Sequence, residues 1–390
     1  MSSPSAPAKE PIKPTNKSTD KSNDKFTDKS TAKPTVLSGM RSTGDLHLGH
    51  YFGVITNWLK LQDQYPGQCF VFAADWHALT TDYKNPEVIR AARRSNVIDW
   101  LAAGLDPDRC TIYVQSQIRE VAELHLLFSM ITPLGWLERN PTYKDQIQNL
   151  SGAGSGPAGD GAGHDAGEPT GKDTSSLGFL AYPVLQAADI AIVRGSLVPV
   201  GEDQVPHLEL NREMIRRFKH LYKKSVFPEP RPLLTETPKL LGTDNRKMSK
   251  SYGNAIGLAD DSATVAKRVK SMITDPARVR RDDPGHPEIC NVFSYQKLLT
   301  PLVGPEGASG APALDVATIE GDCRAGRLSC GDCKGNLAAK LARILEPMHE
   351  RRQGLTKNPK VVDDILAAGA ARVRSVAQDV LSQTREVMKI

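Results

Sequence analysis

The chain has 390 residues, 39% hydrophobic and 24% charged, a length and composition that fit two or three globular domains with a sizeable core. It holds no run of about 18 apolar residues, and its N-terminus lacks the apolar centre of a secretory signal, which excludes a helical membrane protein and makes the cytoplasm the expected compartment. The net charge of +5 is uneven: residues 1–35 hold seven Lys against Glu10, Asp20, Asp24 and Asp28, a balance of +3 that leaves +2 for the rest, so any RNA-binding surface has to be a local cluster.

Lysines recur at 9, 13, 17, 21, 25, 29 and 33 among Ser, Thr, Asp and Pro. Such a segment buries too little apolar surface to offset the entropy of ordering, and a disordered tail over 1–35 is predicted. From Val36 short apolar runs alternate with helical patterns, which predicts a Rossmann-type α/β domain with a parallel sheet over 36–255. Residues 69–74 (CFVFAA) and 111–114 (TIYV) read as buried strands. Between them Asn85 can cap a helix with Pro86 in its first turn and Gly104 at its end. Eight glycines among residues 151–171 mark a flexible insert, taken to 174, inside that domain. Beyond 255 apolar residues recur at helical spacing, as in Val362, Ile365, Leu366, Val373, Val376 and Val380, and predict a mostly helical C-terminal region over 256–390.

Two segments carry phosphate chemistry. Residues 36–50 (VLSGMRSTGDLHLGH) start as a strand, pass two glycines and enter a helix, so that main-chain N–H groups and the positive helix end face a bound anion. His47 and His50 would add donors, and Gly49 close approach; a metal pair at i, i+3 or ordinary helix-start histidines are the competing readings. Some 200 residues later, residues 247–251 (KMSKS) follow Asp244-Asn245-Arg246 in a polar context.

In this order and spacing the two segments resemble the paired motifs of class I aminoacyl-tRNA synthetases. Three further blocks, 74–80 (ADWHALT), 182–189 (YPVLQAAD) and 198–204 (VPVGEDQ), look like those of the tryptophanyl-tRNA synthetase family. The third block distinguishes them from the related tyrosine enzymes. Ser42 departs from the family's usual Pro, and Gln186 from its usual Met.

The resemblance implies ATP-dependent activation of L-tryptophan, with Mg²⁺, and its transfer to tRNA(Trp) by a homodimer. It assigns phosphate handling to Thr43, His47, His50, Lys247 and Lys250, and ATP contacts to Gly39, Met40, Arg41, Gly44, Gly49, Gly201, Glu202, Asp203, Met248 and Ser249. Tyr182, Gln186, Gln204, His77 and Asp189 would hold tryptophan, Asp189 as acceptor of the indole N–H. Alternatives are a tyrosine enzyme, a nucleotidyltransferase outside the synthetases, and a non-catalytic iron-sulfur RNA-binding paralogue. Asp189 also reads as a helix-surface carboxylate, and His77 as a core histidine.

Cys290, Cys323, Cys330 and Cys333 have the spacing C-x32-C-x6-C-x2-C, and four thiolates including a close pair can surround one metal centre. Some tryptophanyl-tRNA synthetases are similar in carrying a 4Fe-4S cluster here with the same x6 and x2 intervals. Structural zinc and free thiols are the competing readings. Cys69 and Cys110 read as core thiols. Basic residues nearby, Arg278, Arg280 and Arg281 foremost, are candidates for the tRNA backbone.

Overall fold

A computed structural model describes residues 33–140, 143, 176–234, 240–250, 252–305 and 313–390. The predicted tail, apart from its last three residues, and the glycine-rich insert lie outside them, as does the side chain of Asp203. Residues from Pro34 to Ile390 form one compact unit.

β1 (Val36–Arg41) leads into α1 (Leu48–His50), a π-helical turn (Tyr51–Ile55) and α2 (Thr56–Gln64). β2 (Cys69–Ala74), α3 (Asp75–Asp82), α4 (Pro86–Ala103) and β3 (Cys110–Val114) follow, with α4 stopped by Gly104 at φ +113°. The strand predicted at 111–114 and the helix predicted from Pro86 to Gly104 are both present. After α5 (Arg119–Ile131), α6 (Leu134–Glu138), α7 (Leu177–Leu180) and α8 (Tyr182–Ile192) come β4 (Leu197–Val200), α9 (Val205–Tyr222) and β5 (Arg231–Leu234). From there the chain is helical among the described residues: α10 (Ser262–Ser271), α11 (Asn291–Val303), α12 (Val316–Arg324), α13 (Cys330–Lys357) and α14 (Pro359–Met388).

The five strands are all parallel, in the order β3-β2-β1-β4-β5. Both faces of the sheet are covered, as all-parallel sheets require, and the side chains alternate between two cores. Val36, Cys69, Val71, Ala73, Cys110 and Ile112 join Trp58 and Trp100 on one face, while Leu37, Phe70, Phe72 and Tyr113 join α5, α8 and α9 on the other.

α14 belongs to both cores. Val362 and Leu366 lie in the first, and Ala370, Val373, Ala377, Val380 and Leu381 in the second. The helix therefore crosses edge strand β3 at Gly369, where a Cβ would fall 1.9 Å from the Ile112 carbonyl oxygen. Only glycine allows that approach.

Candidate active site at the carboxyl edge of the sheet

Parallel strands end on one common edge, and here β1 and β4 are neighbours whose chains leave in opposite directions, the crevice in which open α/β sheets bind ligands. Residues 42–47 follow β1, α3 follows β2, Gln115 follows β3, and a 3₁₀ turn (Glu202–Gln204) follows β4. Gly201, Glu202 and Asp203, predicted at ATP, and Gln204, predicted at tryptophan, sit on or beside that turn.

His47 is the N-cap of α1. Its Nδ1 accepts from Gly49 N at 3.1 Å, and His50 Nδ1 accepts from His47 N at 3.2 Å, a reciprocal cap built from two imidazoles. An Nδ1 that accepts leaves the ring proton on Nε2, so both rings present Nε2–H donors. Burial, then His50, Lys250 and Lys247, push the His47 pKa down to about 3. His47 is therefore a neutral hydrogen-bond donor. A Cβ on Gly49 would lie 2.9 Å from the His47 ring, so Gly49 keeps the cap closed. The missing side chain of Gly39 makes room for the Phe72 ring. Met40 is buried and offers a nucleotide only main chain.

Residues 254–258 join the lysine segment to this turn: Leu48 N donates to Ile256 O, Leu258 N to Leu46 O, both at 2.9 Å, and His47 pairs with Gly257. Asn254, which the motif reading missed, organises the loop, accepting from Ser249 N at 2.8 Å and donating to Asp244 Oδ1 and Lys247 O at 2.7 and 3.0 Å. Met248 and Ser249 are buried, whereas Lys250 is 43% exposed, 3.7 Å from Asp45. Buried anchors between two lysines aim their ammonium groups outward. Thr43 is exposed on the facing turn, and Gly44 has φ +140°, a backbone that glycine alone adopts readily.

On the other side of β1 lies a buried polar network. Asp189, 2% exposed on α8, accepts from Gln115 Nε2 at 3.0 and 2.8 Å and is 2.8 Å from His77 Nε2. Burial raises its pKa, opposed by His77 and Gln115. The helix-surface reading of Asp189 is thus excluded. Gln115 was missed in the sequence, although its place at the end of β3 is where such a residue belongs. Tyr182 packs its ring on His77 at 4.5 Å, and Gln186 accepts from Asn211 Nδ2 at 3.3 Å.

Arg41, Thr80, Thr81, Asn140, Tyr182 and His207 are among the residues lining a cavity of ≈ 30 Å³. Arg41 is tied there to Thr81 and, at 3.6 Å, to Asp82.

The four cysteines are reduced and gather around α13, whose first turn holds Cys330 and Cys333. Arg278 Nη1 stands 3.9 Å from Cys323 Sγ and 4.0 Å from Cys330 Sγ, and Gln296 Nε2 stands 3.8 Å from Cys333 Sγ. Burial above all, then Cys290, holds the Cys333 pKa up at about 12. Among the described residues no group of three or more His, Cys, Asp or Glu is arranged to hold a metal ion. The donor set itself, four soft sulfurs met by N–H groups, suits a thiolate-bound metal. Arg278 departs from its predicted place on an RNA face. Its guanidinium turns inward to Leu328 O at 2.9 Å and to the Arg281 carbonyl, while Arg280 and Arg281 are exposed.

The model for tRNA synthetases class I (W and Y) matches residues 29–346, and the chain belongs to that family. Its relatives include the tryptophan–tRNA ligases of Aquifex aeolicus, 44% identical over 91% of this chain and 99% of that protein, and of Thermotoga maritima, 43% identical over 91% and 99%. Among solved structures, the tryptophanyl-tRNA synthetase of Campylobacter jejuni complexed with ADP and tryptophan is similar at TM-score 0.75 and 29% identity, covering 91% of this chain and 100% of that one. No helix of the described residues is long and apolar enough to cross a membrane.

Proposed function

We infer that the chain is a tryptophan–tRNA ligase, a cytoplasmic enzyme that activates L-tryptophan with ATP and passes the acyl group to tRNA(Trp). The observation that carries the amino-acid choice is the buried carboxylate of Asp189, held by Gln115 and His77 in an apolar helix. Indole supplies a donor to it and phenylalanine does not, and a buried acceptor left unpaired is costly.

The tryptophan carboxylate attacks the α-phosphorus of ATP and pyrophosphate leaves, giving tryptophanyl-adenylate; a ribose hydroxyl of tRNA then displaces AMP. This is chemistry of positioning and charge stabilisation, and no general base is assigned. Lys247 and Lys250 bring positive charge to the ATP phosphates, to which Mg²⁺ would add its own, His47 and His50 donate through Nε2–H, and Thr43 adds a hydroxyl. Main chain at Gly39, Met40, Gly44, Gly49, Met248 and Ser249 lets the nucleotide approach, with Gly201, Glu202 and Asp203 at its ribose. Tyr182 and Gln204 hold the ammonium group, Arg41 the carboxylate, and Gln186 and His77 shape the indole pocket.

Cys290, Cys323, Cys330 and Cys333 would hold a 4Fe-4S cluster, with structural zinc as the second reading. Such a centre would tie three chain segments together beside Arg280 and Arg281, which we assign to the tRNA backbone. The exposed Leu126, Met130, Leu134 and Leu177 support a homodimer through α5–α7. Amino-acid-dependent exchange of pyrophosphate into ATP with tryptophan, tyrosine and phenylalanine tests the main reading: exchange with tryptophan is expected, and none with any of the three refutes it. Iron and zinc analysis of protein purified without air separates the two metal readings.

A further inference from the structure

The Gly44 turn, which lies beside Lys250, is held from behind by α4. A Cβ on Gly44 would lie 3.0 Å from Lys250 Nζ, so where this turn sits decides where the ammonium group can go. The turn's carbonyl is fixed by Asn96 of α4, which is fully buried. With its amide nitrogen toward the surrounding acceptors, Asn96 donates to Gly44 O at 2.8 Å and to Ala92 O at 3.1 Å.

One helical turn further along α4 is Asp99, 1% exposed. A carboxylate buried to that degree requires a cation, or it becomes protonated. Arg352 of α13 supplies it: Nε donates to Asp99 Oδ1 at 2.7 Å and Nη2 to Ser95 Oγ at 3.1 Å. The neighbouring Arg351 Nε donates to Ala102 O at 2.5 Å, so that two consecutive arginines dock α4. His349, one turn earlier on α13, is 2.8 Å from Leu258 O, and Leu258 is the residue whose N–H donates to Leu46 O. One stretch of α13 thus holds both sides of the phosphate site, Gly44 by way of α4 and the lysine loop by way of Leu258.

We propose that Arg352 is a positioning residue for adenylate formation: through Asp99 and Asn96 it sets the Gly44 turn, and with it the place at which Lys250 meets the ATP phosphates. Arg352 touches no substrate. Its contribution is geometric, and displacements of this kind far from the chemistry cost about ten- to a hundredfold in rate. The proposal rests on the reading that Lys250 acts on ATP.

Pyrophosphate exchange is measured for Arg352→Ala, Arg352→Lys, Asp99→Asn and Lys250→Ala, and for Arg352→Ala combined with Lys250→Ala, each alongside its thermal midpoint. The expected result is a fall of about tenfold or more in kcat/KM for ATP with Arg352→Ala and Asp99→Asn, while KM for tryptophan stays within about twofold. Arg352→Lys, which keeps the charge, should recover part of the loss. In the Lys250→Ala background Arg352→Ala should add little, because groups that act through one another are not additive. Equal losses for both substrates, or full additivity of the two substitutions, would overturn the proposal. If Arg352→Ala does not fold, Asp99→Asn and Arg352→Lys carry the same ATP-against-tryptophan comparison. Should Lys250→Ala itself leave exchange unchanged, the catalytic reading fails; should it abolish exchange while Arg352→Ala has none of the predicted effect, only this proposal does.

Discussion

The proposed tryptophan side and the proposed phosphate side of the crevice are built on opposite principles. Around Asp189 the carboxylate is buried, and Gln115, in the turn directly after β3, and His77 of α3 hold it from two directions. Around Lys250 the partners are loop residues, the ammonium group is 43% exposed, and its near acid Asp45 is 71% exposed. Discrimination calls for the first arrangement, since an acceptor selects a donor only where water cannot replace it. Handling a polyphosphate calls for the second, because the charge must arrive and leave with the nucleotide.

The largest test of that contrast is Asp189→Asn, which keeps the volume and removes the charge. Preference for tryptophan over phenylalanine in pyrophosphate exchange should fall by about 10² or more; an unchanged preference would mean that Asp189 does not read the indole N–H. Lys250→Ala should lower the exchange rate by about 10²–10³ with an unshifted thermal midpoint, as an exposed side chain contributes little to folding. Gln115→Ala leaves Asp189 with His77 alone, and denaturant titration should show a loss of about 1–3 kcal/mol together with a higher KM for tryptophan.

The smallest effect is a slope. His47 has a pKa of about 3 in the fold against 6.5 for the free side chain. As pH falls below 6.5 the unfolded chain takes up the proton first. The stability linked to His47 is therefore complete above 6.5 and is lost as pH falls towards 3, by at most about 1.4 kcal/mol per pH unit. His47→Gln should flatten that slope in urea midpoints measured across this range.

What the sequence made legible follows the same divide. The phosphate segments are contiguous, so their residues are neighbours in the chain before they are neighbours in space. β2, β3 and α4 were legible because apolar runs and a Pro-to-Gly frame act locally. The tryptophan network was only half legible: Asp189 and His77 are 112 residues apart and Gln115 and Asp189 are 74 apart, and periodicity carries no information on that scale. Arg278 illustrates the limit from the other side. Its basic neighbours suggested a surface, while the Leu328 carbonyl and the thiols that draw it inward lie some 50 residues away.

The crossing of α14 over β3 also bears on how the chain folds as it is made. Ile112 and Tyr113 are assembled early, yet the residues that cap their edge, from Val362 to Leu381, are synthesised some 250 residues later. Until then β3 offers an unpaired parallel edge, the kind of template that recruits strands of other chains. Gly369, small enough to lie against the Ile112 carbonyl, is thus the closure of the fold as well as a point of contact. A larger residue there should show its damage first in the yield of soluble chain, before any change in the rate of the chemistry.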